Sequence, residues 1–184
     1  MTTLPDYLAH NLKIISVGLN PSPVSVDAGF YFANPRNRFW KALNASRLID
    51  EELEPGEEAM QLLFMKYKIG FTDLVKKPTS MGNKLRAVDY REGAPDLKEK
   101  LLNYRPAIVW FHGKDTYRNY LKYAEKINKP VTLGLQKQTI GKSRVFVTPN
   151  PSPANAQYSL DDLIRNYNEM VSFQVREAFG LGTR

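Results

Sequence analysis

Along the chain, short apolar runs rich in β-branched and aromatic residues alternate with longer stretches of helical spacing. Lys13 to Gly18 (KIISVG), Ala107 to Phe111 (AIVWF) and Arg144 to Thr148 (RVFVT) read as strands buried on both faces. A shorter fourth strand is expected near Val131 to Leu133, with Gly141-Lys142-Ser143 turning the chain into the last strand. Between the strands the pattern predicts helices that begin behind prolines: Arg36 to Arg47 after Asn34-Pro35, Gly56 to Lys68 after Pro55, and Asp96 to Tyr104 after Pro95. The clearest helix is the last. Ser159 and Asp162 form an S-x-x-D cap, and Leu160, Leu163, Ile164, Tyr167, Val171 and Val175 make an apolar stripe that runs toward Gly180. The polar segment Asp73 to Gly93 has no clear period and is expected to be a long connection.

Buried strands alternating with helices require right-handed crossovers. The fold class expected is a three-layer α/β/α arrangement around a central, mainly parallel sheet of four to five strands. Ligands of such sheets gather at the carboxyl ends of the strands. Two segments of matching composition stand there: Leu19-Asn20-Pro21-Ser22-Pro23 after the first strand, and Pro149-Asn150-Pro151-Ser152-Pro153 after the last. Proline fixes φ, and Asn and Ser bond their own backbone, so each N-P-S-P is a stiff loop with fixed polar groups. Either alone is an ordinary turn. Together, on strands expected to be neighbours, they form a candidate binding rim.

Composition narrows the chemistry. The 184 residues suit a single domain spanning 1–184, and the 42% hydrophobic and 24% charged shares are those of a folded chain. Cysteine is absent and the only histidines are His10 and His112, which excludes disulfides, iron–sulfur clusters and Cys-ligated zinc. No His/Asp/Glu cluster has ligand spacing, so no metal or other cofactor is expected. No apolar run approaches the ~18 residues that span a bilayer, and the N-terminal segment lacks the order of a secretion signal. A soluble, cytoplasmic monomer without membrane attachment is the expectation. The net charge of +7 is uneven: 12 basic and 11 acidic residues up to Glu92, 14 and 8 beyond it. That excess makes a polyanion such as nucleic acid a reasonable partner.

One stretch, GLNPSPVSVDAGFYFANPRNRFWK (Gly18 to Lys41), resembles the first signature of the mismatch-specific uracil and thymine DNA glycosylases, G-I-N-P-G followed by F-x-x-P-x-N-R-F-W. GFTDLVKKPT (Gly70 to Thr79), HGKDTY (His112 to Tyr117), GLQKQTIG (Gly134 to Gly141) and TPNPSPANAQYSL (Thr148 to Leu160) resemble further segments of that family in the same order. The likeness covers nearly the whole chain. It implies a uracil-DNA glycosylase fold and hydrolysis of the N-glycosidic bond of uracil in double-stranded DNA, preferably in G·U mispairs, with thymine and other deaminated bases as further candidates. The abasic product would initiate base excision repair.

The resemblance also implies roles. Asn20 would orient the attacking water, its oxygen accepting a hydrogen bond while its NH₂ is held elsewhere. Phe32 would stack beneath an extruded pyrimidine, with Phe30 and Tyr31 as local competitors and Phe39 and Trp40 as core residues. Leu19, Ser25 and Asn150 would contact the base. Ser152, Pro153, Ala154, Asn155 and Lys114 would contact DNA, with Ala154 to Gln157 entering the duplex as a wedge of little volume; Lys137, Lys142 and Arg144 could extend an electrostatic track. Asp73 stands where the family commonly has asparagine or lysine. A carboxylate there could polarise the water or stabilise the developing sugar cation; it could equally cap a turn. His112 reads as a hydrogen-bonded structural residue. Two other classes fit the same features: a non-catalytic DNA- or RNA-binding module, and a nucleoside hydrolase acting on free deoxyuridine.

Overall fold

In the computed structural model, which describes residues 2–180, the three expected runs are β1 (Ile14–Gly18), β3 (Ile108–His112) and β5 (Arg144–Thr148). Two further strands, β2 (Ile69–Asp73) and the two-residue β4 (Gly134–Leu135), complete one sheet in the order β2-β1-β3-β5-β4. All pairs are parallel except β4 with β5. The fourth strand therefore lies just after Val131 to Leu133 and runs antiparallel at the edge. β2 was not expected. The strands carrying the two N-P-S-P loops are also not neighbours, because β3 runs between them.

Both sheet faces are covered, which is why the strands are apolar on both sides. Ile14, Phe71, Trp110 and Phe146 point to one face and pack with residues of α2 (Phe39–Ala45), α3 (Glu57–Met65) and α6 (Leu160–Ala178). Ile15, Val17, Val109, Phe111, Val145 and Val147 point to the other, against α4 (Ala87–Tyr104) and α5 (Lys114–Tyr120), which ends in a π-helical turn at Leu121–Glu125. A single turn and a half, α1 (Pro23–Ala28), follows the first N-P-S-P loop.

Helix boundaries depart from the proline rule in two places. α2 starts at Phe39, because Asn34 and Asn37 turn the preceding residues, Asn37 Oδ1 accepting from Phe39 N at 2.9 Å. α4 starts at Ala87, so Pro95 lies inside it and the long connection ends before Gly93. The cap there is unusual: Asp89 accepts from Arg86 N at 2.7 Å and from Lys77 Nζ at 2.9 Å. The stripe of α6 also runs differently, with Leu163, Tyr167, Met170 and Phe173 buried while Val175 is exposed.

The α6 cap matches the expectation, with Asp162 N donating to Ser159 Oγ at 3.1 Å and Ser159 N to Asp162 Oδ2 at 2.8 Å. Ser159→Ala removes one acceptor of a reciprocal pair and is expected to lower unfolding free energy by about 1 kcal/mol, read as a reduced urea midpoint at unchanged slope.

Candidate active site

Parallel strands all deliver their carboxyl ends to one edge of the sheet, and the order in which strands are added reverses between β1 and β3, β2 lying on one side of β1 and β3 and β5 on the other. A cleft of about 660 Å³ lies at that edge. Gly18 of β1 and Asp73 of β2 are paired directly in the ladder, His112 ends β3, and Thr148 ends β5 just before Asn150. Asn20, Ser25, Phe32, Asp73, His112 and Asn150 all line this cleft. Leu19, Ser152, Pro153 and Ala154 line it too.

The Asn20 amide is fixed by its nitrogen. Nδ2 donates to Lys77 O at 2.9 Å and to Thr79 Oγ1 at 2.7 Å, and Oδ1 accepts from no donor among the described residues. The side chain is thereby left as an oriented acceptor, the arrangement needed to hold a water. Thr79 N in turn donates to Pro21 O at 3.2 Å, so the segment after β2 clamps the first loop.

Phe32 has φ of +59°, a left-handed conformation that costs a bulky residue on the order of 1–3 kcal/mol. Its neighbours hold it there. Ala33 N donates to Ser25 Oγ at 3.2 Å, Trp40 Nε1 donates to Tyr31 O at 3.2 Å, and the ring stacks on Phe39 at 4.1 Å with planes 20° apart. Ser25 is buried and its hydroxyl braces this turn while also taking a bond from Ser22 Oγ. Tyr31, Phe39 and Trp40 belong to the buried core cluster, and Phe30, like Phe32, is partly buried and packs against it.

The second loop is folded on itself. Asn150 Oδ1 accepts from Ser152 N at 2.9 Å, its Nδ2 has no acceptor among the described residues, and Asn155 Nδ2 donates to Asn150 O at 3.0 Å. Gly113, with φ of +99°, passes so close that a Cβ would meet Asn150 Cβ at 3.1 Å. Arg38 pins the loop from behind, donating to Ser152 O at 3.2 Å, to Asn155 O at 2.8 Å and to Tyr158 O, while its own N reaches Pro151 O at 3.1 Å. Pro153 and Ala154 are exposed at the tip. Lys114 opens α5 directly behind Gly113 and forms no ion pair among the described residues. Lys142 and Arg144, by contrast, sit at the opposite edge of the sheet, since Arg144 is the first residue of β5 and pairs with Glu177 at 3.2 Å. They do not extend the cleft.

Asp73 is 5% exposed and caps no helix; it ends a strand. Its carboxyl occupies the space that Gly18 vacates, since a Cβ on Gly18 would lie 2.7 Å from Oδ1. Burial pushes its pKa up to about 6, against the pull of Lys76, whose Nζ is 3.5 Å from Oδ2. Lys76 is shared: it also donates to Asp6 at 2.8 Å and to Tyr31 Oη at 3.2 Å. Asp6 is itself desolvated, but Lys76 and Lys100 outweigh that and hold its carboxyl below the usual range. His112 is pushed down to about 3 by burial alone and is therefore neutral.

With these loops, this strand order and this cleft, the match to a family model is decisive: residues 5–172 fit that of the Uracil DNA glycosylase superfamily. The chain belongs to that superfamily. Membership carries its general activity, hydrolytic release of uracil from DNA. A solution NMR structure from Methanosarcina acetivorans, provisionally named a uracil DNA glycosylase, shares the fold at a TM-score of 0.59 and 22% identity, covering 95% of this chain and 97% of that one.

For a glycosylase of this superfamily, the side chains that sequence reasoning passed over are instructive. Arg38 and Thr79 lie inside the quoted segments but act by pinning the loops, a role that no spacing reveals. Arg36 and Met81, both exposed, form part of the cleft rim.

Two outcomes follow from this geometry. Arg38→Ala strands three loop carbonyls and is expected to cost about 1–3 kcal/mol and to raise amide hydrogen exchange across residues 150–158. Asp73 has a native pKa above its unfolded value of 3.8, so its contribution is favourable at low pH and is lost as pH rises through about 6. Asp73→Asn should match wild type in stability near pH 4 and exceed it by up to about 3 kcal/mol above pH 7, measured by urea unfolding across that range.

Proposed function

We propose that this glycosylase is monofunctional and hydrolyses the N-glycosidic bond of uracil in duplex DNA, preferentially in G·U mispairs, leaving an abasic site. The observation that carries the reading is the pairing, in one cleft, of an amide whose nitrogen is doubly held with a buried carboxylate. Extruding a nucleotide costs a few kcal/mol, and less when the base is mispaired, so preference for a mispair follows without any contact to the opposing guanine. The small Ala154 at the loop tip fits that reading, because it offers little volume with which to inspect a partner base. The extruded ring stacks on Phe32, while Asn150 Nδ2 is available to the base.

In the chemical step the bond from C1′ to the base nitrogen breaks, and its electron pair leaves with uracil as a delocalised anion. Water oxygen bonds to C1′, oriented by Asn20 Oδ1, and its proton passes to the Asp73 carboxylate. The negative Asp73 also stabilises the cationic sugar. Lys114 and Arg36 supply phosphate contacts, so binding should fall with salt at a logarithmic slope near −0.9 per phosphate contacted.

Single-turnover excision on duplexes carrying uracil, thymine, hypoxanthine or xanthine opposite each normal base, followed by alkaline scission, tests the whole reading. The expected result is fastest release from G·U. Asn20→Ala and Asp73→Ala should each lower the rate constant by about 10²–10⁴. The wild-type rate should rise with pH through about 6 as Asp73 ionises, and that limb should vanish in Asp73→Asn. Binding without product from any duplex would instead favour a non-catalytic module, and cleavage of free deoxyuridine a nucleoside hydrolase.

A further inference from the structure

Asp73 Oδ2 is buried and accepts no hydrogen bond among the described residues, although an ammonium stands only 3.5 Å away. A buried carboxylate oxygen left unpaired is costly. Lys76 does not close on it because its bonds go elsewhere: Nζ donates to Asp6 Oδ1 at 2.8 Å and to Tyr31 Oη at 3.2 Å. The hydrolytic step above assigns nothing to Asp6.

Residues 3–7 deliver that side chain along the outer edge of β2. Tyr7 N donates to Phe71 O at 2.9 Å, and Phe71 N returns a bond to Tyr7 O at 3.0 Å. Tyr31 Oη donates to Pro5 O at 3.1 Å, Thr3 Oγ1 donates to Lys76 O at 2.6 Å, and Leu4 lines the cleft itself. The Asp6 carboxylate is well held: Oδ1 accepts from Lys76 Nζ and from Thr72 Oγ1 at 2.8 Å each, and Oδ2 pairs with Lys100 Nζ at 3.0 Å. Lys100 is in turn shared with Asp96 at 2.8 Å.

Asp6 acts on Asp73 in two ways of the same sign. Its charge repels a second carboxylate across a poorly solvated gap, and its bond keeps the ammonium from reaching Oδ2. Both favour a proton on Asp73. The other groups around Asp73 do not cancel this: burial keeps the Tyr31 phenol protonated and His112 neutral, Gly18 brings no side chain, and Lys100 on α4 attracts Asp73 only from beyond ion-pair distance. We propose that Asp6 is a positioning residue for the hydrolytic step: it draws the Lys76 ammonium away from Asp73 and so leaves that carboxylate free to take the proton from water. This inference rests on the glycosylase reading, in which Asp73 is the proton acceptor, and adds a residue outside the cleft loops that makes it one.

Three variants separate charge from shape. Asp6→Asn keeps an acceptor for Thr72 and removes the anion, so the ionisation midpoint of Asp73, followed by ¹³C NMR of its carboxyl carbon, should fall by about one to two pH units. The rising limb of single-turnover excision from G·U duplex should move down with it, to a lower plateau. Lys76→Met should move both the carboxyl midpoint and the limb upward, and Asp6→Glu, which preserves the charge, should leave both close to wild type. An Asp73 midpoint unmoved by Asp6→Asn, shifts of the same sign in Asp6→Asn and Lys76→Met, or a limb that does not follow the carboxyl, overturns the role of Asp6 while leaving the glycosylase reading intact. Wild-type protein that releases no base from any duplex overturns the glycosylase reading instead, and the carboxyl titration still decides whether Asp6 diverts Lys76.

Discussion

The arrangement depends on a carboxylate kept out of water at the end of a strand. Asp73 is placed by the ladder register that sets it opposite Gly18, and it fits only because Gly18 has no side chain. Burying a charge is unfavourable unless it is compensated, and here a single ammonium, Lys76, is divided among Asp73, Asp6 and Tyr31. Partial compensation is what leaves the acid poised near neutrality. A closer lysine would lower its pKa toward that of an ordinary carboxylate, and loss of the lysine would raise it further. Stability forgone at this position is the counterpart of the base we propose Asp73 to be.

The same logic of local cost against surrounding support applies to the Phe32 turn. A left-handed phenylalanine persists only where its neighbours over-determine it, and three independent contacts do so here: the Ser25 hydroxyl, the Trp40 indole and the Phe39 ring. The second loop is held in a different way. Its carbonyls are tied to one guanidinium, Arg38, which leaves from the turn just after Phe32 and so couples the two sides of the cleft through a single side chain. Rigid walls cost no ordering when a ligand enters.

How much of this was readable in the residues follows from what each segment resembles locally. β1, β3 and β5 are apolar throughout and announce themselves. β2 does not, because Gly70, Thr72 and Asp73 break its apolar run, so residues 69–72 carry no strand signal and Asp73 reads as the start of a connection. The start of α4 was hidden for a related reason: its cap is built from Arg86 and Asp89 rather than Ser or Thr, and Gly93 and Pro95 inside it imitate a break. Asn20, Asn150 and Ser152 stand out in the sequence because they sit in stiff loops at strand ends, whereas Ser25 and Phe32 are legible only through the family resemblance. For His112, an apolar strand ending in histidine looks the same in sequence whether one ring nitrogen is bonded or both are.

Strand order was the property that lay beyond local pattern, and it matters most for the slot. Had the two loop-bearing strands been adjacent, their axes would stand about 4.8 Å apart, too close to admit the edge of a heterocycle between loops that already fill that space. With β3 interposed, the separation is about 10 Å, and the intervening strand supplies a floor. Phe111 turns to the opposite face, so the alternation of the pleat puts His112 on the same face as Phe71, Asp73 and Trp110. The floor of the slot is thus polar at its outermost residue and apolar one step below. That combination arises from nothing more than β3 lying third in the sheet.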